Sequence, residues 1–426
     1  MTKVDFAYGR GSLSYEFGDE LKAVLKSSVN KRETFRDDDA AVRAALEMPS
    51  GAKRLSELAV GKKKITIIAS DHTRPVPSRH IIPHMLEEIR LGNPDAEITI
   101  LIATGCHRST TKEELIDKFG EEIVRNERIV IHDCLDEENL VDLGTLPSGA
   151  ELIINREAAE CDLLVSEGFI EPHFFAGFSG GRKSVLPGVA ARKTVLGNHC
   201  AAFIASENAR TGRLEDNPIN IDMEAAARMA KLAFIVNVVI NEDRRIIRVC
   251  AGDPILAHHV GCSFLGVLCC AKFREEADIV ISTNGGYPLD QNVYQAVKGM
   301  TAAEKAVKPG GVIIMCAATN DGHGGESFYR MISEAESPED FLEEVVKRSP
   351  DETLPDQWEA QIFFRILTKA KVIYVSDADD ELIKALRMTP AHSIGEAMEI
   401  AKGLCGVEKP TVIAIPDGVS VIPVKK

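Results

Sequence analysis

Short β-branched and aliphatic runs alternate with amphipathic helical patterns along most of this chain, and no other feature constrains its fold as much. Candidate strands lie at 64–69, 98–102, 129–131, 163–165, 235–240, 279–281, 312–315, 372–375 and 412–415. Helical patterns fall among them at roughly 77–90, 111–125, 223–231, 255–272, 292–307, 338–347 and 358–369. Strands that alternate with helices argue for an α/β protein with largely parallel sheets flanked by helices. At 426 residues the chain is too long for one ordinary core, so two domains are expected. The boundary is placed near 269–276, where a long apolar helical pattern gives way to a charged stretch. Residues 1–270, rejoined by the last strand at about 400–426, would form the first domain, and 275–395 the second.

Four of the strands end in polar clusters: Ser70 to Pro75, Thr104 to Arg108, Ser166 to Gly168, and Ser282 to Gly286. In open α/β sheets ligands bind beyond the carboxyl ends of the strands, so these clusters point at one shared site. The net charge of -15 opposes polyanions and argues against a nucleic-acid partner. The basic residues Arg74, Arg182, Lys183 and Lys298 therefore need local explanations. The first residues lack the layout of a signal peptide, and no apolar run reaches the ~18 residues of a membrane span. No membrane partner and a cytoplasmic location are expected. The ten cysteines contain no C-x-x-C pair and read as reduced core residues rather than a zinc cluster or a disulfide framework.

Gly177 to Ser184 stands near the phosphate-loop spacing G-x-x-x-x-G-K-[ST]. Arg182 occupies the second glycine's place and Pro187 sits where that motif's helix should run, which argues against a nucleoside triphosphate. Gly177, Gly180 and Gly181 fit either a backbone nest for one anion or a flexible loop. Lys183, beside the cationic Arg182, has the setting of an amine with lowered pKa, suited to nucleophilic or acylated states. Arg74 is held extended by Pro75 and suits carboxylate or phosphate recognition, although a surface ion pair explains it equally. His107 precedes a helix expected to be capped by Thr110 and Glu113 and is either a general base or a loop residue. His173, before Phe174 and Phe175, reads as a partly desolvated base or as a packed ring. Gln295 and Lys298 share one helix face, which either binds a small anion or is a solvated edge. Trp358 reads as core more readily than as substrate wall. The remaining histidines, His72, His80, His84, His132, His258 and His259, fit no ligand spacing and read as structural.

Taken together, the strings Asp71 to Ser78, Ala103 to Arg108, His173 to Gly188 and Tyr294 to Met300 resemble those of the nickel-dependent lactate racemases, and the likeness runs through Pro355 to Trp358 and Pro416 to Gly418. The resemblance implies an isomerase that interconverts L- and D-lactate through pyruvate, by hydride transfer to a nickel pincer nucleotide. That cofactor is a pyridinium mononucleotide whose two sulfur-containing arms hold the metal. Matched by motif, Lys183 would carry it as a thioamide and His199 would complete the nickel coordination. The resemblance also implies that Asp71, His72, Thr73, Arg74, Ser179 and Gly180 line the cofactor, and that His107 and His173 exchange the substrate proton. Arg74, Gln295, Lys298 and Trp358 would bind substrate, in a cleft over which the second domain closes. The implied partners are a small 2-hydroxy acid and the enzymes that build the cofactor. Racemisation or epimerisation of another 2-hydroxy acid is the nearest alternative, and a non-catalytic nucleotide-binding sensor is the alternative of another class. Cys106 departs from the apolar residue expected before the family's histidine.

Overall fold

A computed structural model describes all 426 residues. The chain divides into two compact units: the first is built from Val29–His199 and Ser206–Val267, the second from Met1–Ser28, Cys200–Ala205 and Leu268–Lys426. Each contains a six-stranded sheet. No helix is long and apolar enough to cross a membrane.

In the first unit the strand order is Ile246–Gly252, Leu232–Ile240, Leu163–Phe169, Lys64–Ser70, Glu97–Ala103, Arg128–Ile131. All neighbours are parallel except the hairpin at Leu232–Ile240 and Ile246–Gly252. Lys64–Ser70 is buried continuously from Ile65 to Ala69, as expected of a parallel strand covered by helices on both faces. Helix Ser78–Gly92 turns Ile81, Ile82, Met85, Leu86 and Ile89 into that core. At its end a Cβ on Gly92 would lie 1.8 Å from the Ser56 carbonyl oxygen, so only glycine permits the close approach. The strand order reverses direction between Lys64–Ser70 and Leu163–Phe169, which opens a crevice beyond their carboxyl ends.

Two local expectations are corrected here. The single helical pattern at 111–125 is two helices, Lys112–Phe119 and Glu121–Asn126, because Gly120 breaks the run at φ 90°. The capping box is Thr111 with Glu114, not Thr110 with Glu113. The Thr110 hydroxyl is instead engaged by the His72 ring, 3.0 Å away.

The second unit's sheet is parallel throughout, in the order Thr389–Ala391, Lys371–Val375, Val307–Cys316, Ala277–Thr283, Val412–Ile415, Leu21–Val24. Residues 400–426 thus do not return to the first unit: Val412–Ile415 pairs directly with Ala277–Thr283, where Ile279 faces Val412. It is the amino terminus that changes unit. Leu21–Val24 forms the edge strand, and the hairpin Thr2–Tyr8 with Gly11–Phe17 sends Val4, Phe6 and Phe17 into the second core. Period-2 alternation in a half-exposed hairpin and a four-residue edge strand give weaker sequence signals than the continuous apolar runs of the inner strands.

Candidate active site

Asp71 follows the strand Lys64–Ser70 and is 1% exposed. Its Oδ2 lies 2.7 Å from His107 Nδ1, while Oδ1 accepts the Thr73 hydroxyl at 2.7 Å and the Thr73 amide at 3.2 Å. Burial alone would push this carboxyl up, but the hydrogen bonds from His107 and Thr73, with the charge of Arg74, outweigh it and hold it below the ordinary carboxylate range. An ionised Asp71 fixes the proton of His107 on Nδ1, which leaves the Nε2 lone pair facing outward on a ring whose side chain is 42% exposed. This is the arrangement of a carboxylate-oriented general base. Arg74 is exposed on the turn closed by its amide to the Asp71 carbonyl, and its guanidinium forms no ion pair. His72 is held by Thr110 and by Glu114 at 3.7 Å.

His173 stands on the other side of the strand reversal, in a two-residue ladder of Pro172–His173 with Gly177–Phe178. Its ring stacks on Phe174 at 5.0 Å and meets the edge of Phe175 at 4.5 Å. Its Nδ1 accepts the Ala176 amide at 3.3 Å. The turn is braced from within. Ser179 Oγ donates to the Phe169 carbonyl and accepts the Glu171 amide, so its hydroxyl serves the loop. Gly180 has φ 78°, and a Cβ there would come within 2.6 Å of Asn237 Oδ1.

Arg182 finds its local explanation inside the loop. It is fully buried, donating to Asn220 Oδ1 at 2.7 Å and to the carbonyls of Phe178, Gly180 and Ala176. Burial lowers it to about 10, so it keeps its charge and ties the loop carbonyls together from beneath. It is a strut, not a second cation at the ligand. Lys183 follows in the short 3-10 turn Gly181–Ser184, with its Nζ 5.8 Å from the Phe175 ring centroid.

His199 ends the helix Arg192–Asn198, 5% exposed, with Phe175 edge-on at 5.0 Å. Burial first, and the Lys183 charge second, lower its pKa to about 3, so the imidazole is neutral, the form that binds a metal. No group of three or more His, Cys, Asp or Glu side chains is placed to hold a metal ion. A metal held here through one imidazole would need its other ligands from the molecule that carries it, which fits a metal-bearing cofactor. The crevice also has unmet polar capacity: buried Glu167 Oε2 and Asn237 Nδ2 lack hydrogen-bond partners. Neither residue was singled out from sequence. Glu167 lay within a recognised strand-end cluster, and Asn237 is the one polar residue in the buried run LAFIVNVVI.

The second unit carries its own polar group on helix Val293–Ala306. Lys298 Nζ donates to Gln295 Oε1 at 2.5 Å, confirming their shared face. Burial raises the enclosed Glu359 carboxyl to about 8 despite the nearby Lys298 charge. The half-buried Trp358 hydrogen-bonds Tyr294 through its side chain.

Comparison with known proteins finds relatives along the whole chain. Residues 8–212 match the lactate racemase N-terminal domain and residues 273–423 the lactate racemase C-terminal domain. The chain is 52% identical over 424 residues to a lactate racemase of Thermoanaerobacterium thermosaccharolyticum, covering 99% of each. It is 51% identical to one of Lactiplantibacillus plantarum, covering 99% of this chain and 100% of that one. The solved lactate racemase apoprotein of T. thermosaccharolyticum superposes over 100% of both chains with a TM-score of 0.96. A Thermotoga maritima protein at 21% identity shares the fold alone, with a TM-score of 0.66 over 91% of this chain and 97% of that one.

Proposed function

The chain belongs to the lactate racemase family, and from that premise we propose that it interconverts L- and D-lactate with His107 and His173 as its two proton-handling groups. The observation that carries the reading is the 2.7 Å contact between Asp71 and His107 Nδ1 at the strand reversal. The C2 hydrogen of lactate is too weakly acidic for a histidine to remove as a proton. When bound, a nickel pincer nucleotide supplies the hydride acceptor and donor that no side chain provides.

The chain's own residues do the rest. Arg74 pairs with the lactate carboxylate, a contact for which its uncommitted guanidinium is suited. For one enantiomer His107 Nε2 takes the hydroxyl proton, and Asp71 stabilises the imidazolium that forms. Once the planar 2-oxo acid has turned its carbonyl oxygen the other way, His173, protonated beforehand from solvent with its Ala176 contact released, returns the Nε2 proton to that oxygen. In the reverse direction the two exchange roles. Gln295 and Lys298, already joined to each other, are assigned with Trp358 as further substrate contacts. Lys183 and His199 are assigned as the covalent and metal attachment points, because the Lys183 charge acts on a buried, neutral imidazole.

The test is peptide mass spectrometry alongside a chiral lactate assay, on protein produced together with the cofactor-building enzymes. A cofactor adduct on Lys183 and interconversion of the two enantiomers are expected. Fully active protein with unmodified Lys183 would sink the attachment.

A further inference from the structure

We propose that Cys106 and Cys134 are a reversible dithiol–disulfide site that controls the position of His107. The two strands that precede them, Glu97–Ala103 and Arg128–Ile131, are parallel neighbours with Ile102 opposite Ile131. Beyond that pair the chains stay together, since Thr104 Oγ1 donates to the His132 carbonyl at 2.6 Å. The segment 188–192 then stitches both ends. The Gly105 amide donates to Gly188 at 2.9 Å, His132 Nε2 lies 3.0 Å from the Ala190 carbonyl, and the Arg192 amide donates to Cys134 at 3.0 Å. Cys106 and Cys134 therefore lie on neighbouring segments beyond the strand pair, and their side chains interact with each other and with the Arg192 guanidinium.

Cys106 is exposed while Cys134 is buried. The contact with Cys106 and the charge of Arg192 outweigh burial and lower the Cys134 thiol, whereas the contact with Cys134 and burial raise that of Cys106. The thiolate that this pairing favours at Cys134 is the form that exchanges with disulfides.

The oxidant is a small-molecule disulfide. The protein thiolate attacks one of its sulfurs, forming a mixed disulfide and releasing one small thiolate. The second cysteine loses its proton to solvent, attacks the protein-bound sulfur and expels the other small thiolate. Two protein thiols are oxidised, and one small disulfide is reduced to two thiols. Cys106 adjoins His107, and the same stitching reaches Gly188, whose amide bonds the Lys183 carbonyl at 3.1 Å. Closing the bond draws the 105–107 turn toward Cys134 and disturbs the Asp71–His107 pair. A displacement of about 1 Å at a reacting group lowers turnover by about 10²-fold.

The effect on turnover rests on the racemase reading; the cross-link does not. Reduced holoenzyme is treated with oxidised glutathione, alkylated, and mapped without reduction. The expected result is a Cys106–Cys134 linked peptide, with an about 10²-fold fall in lactate racemisation that dithiothreitol reverses. Cys106→Ser should keep its turnover under the same treatment, and Cys134→Ser should give no linked peptide. Full alkylation of both cysteines after treatment overturns the site, whatever the activity. A linked peptide with unchanged turnover overturns the control of His107. If the reduced holoenzyme does not racemise lactate at all, the functional reading fails while the linked peptide still decides the site.

Discussion

The two histidines at the strand reversal are supported by opposite chemistry. His107 has an ionised, buried carboxylate behind it, and His173 has two phenylalanine rings and a backbone amide. The carboxylate holds the His107 proton on Nδ1 and leaves Nε2 as the accepting nitrogen. The Ala176 amide donates to Nδ1 of His173, which places the ring proton on Nε2. For His173 to cycle through the protonated state, it must give up the Ala176 contact. One ring is thus oriented by a carboxylate, whereas the other packs against aromatic rings and receives a backbone amide on Nδ1.

Removing either ring breaks the comparison most completely. His107→Ala and His173→Ala should each lower kcat by about 10³-fold in both directions, followed by chiral analysis from pure L- and pure D-lactate. The enantiomers have equal free energy in water, so kcat/KM must fall equally from either side in any variant. Near-normal racemisation by His173→Ala would reduce the scheme to one base. Next comes the support itself: Asp71→Asn should cost about 10²-fold because an amide no longer stabilises the imidazolium, whereas Phe174→Leu should cost less than about tenfold. Equal losses in kcat would show that the carboxylate is not what distinguishes the pair. Arg74→Ala should raise KM by about 10- to 100-fold through loss of a charge-assisted contact. An unchanged KM would remove Arg74 from carboxylate binding.

The same contrast explains what could be read in advance. The inner strands were legible because each is buried on both faces and so is continuously apolar. The amino-terminal hairpin and the return of Val412–Ile415 to its own sheet were not, because pairing across hundreds of residues leaves no local pattern. Asp71 and His107 were recognisable as strand-end residues, but their contact joins positions on different strands and exists only once the sheet has formed. The role of Arg182 was hidden for a related reason. A charged residue inside a glycine-rich loop suggests an exposed cation, and only the fold reveals the carbonyls of Phe178, Gly180 and Ala176 turned inward to receive it. Asn237 and Glu167 follow the same rule: a lone polar residue in a buried strand is a signal, but its partner is not in the sequence.

The smallest expected effect concerns stability, and it separates the two regions by pH. Asp71 has a folded pKa below its unfolded value, so its contribution is present above about 3.9 and is lost only as pH falls through the lower folded value. The buried histidines behave in the opposite sense. His199 titrates at about 3 in the folded chain, and burial also lowers His258 and His132. Unfolded histidines take up protons below about 6.5 while these stay neutral, so stability falls as pH drops from about 6.5 towards 3. Each contributes at most about 1.4 kcal/mol per pH unit. Urea unfolding of the cofactor-free protein should therefore show a loss of about 1 to 3 kcal/mol between pH 6.5 and 5.5. His199→Asn should reduce that slope by about one proton, whereas Asp71→Asn should leave it unchanged in this range. If the Asp71 variant altered the slope as much as the His199 variant, the acid sensitivity would belong to the strand-end pair and not to the buried histidines.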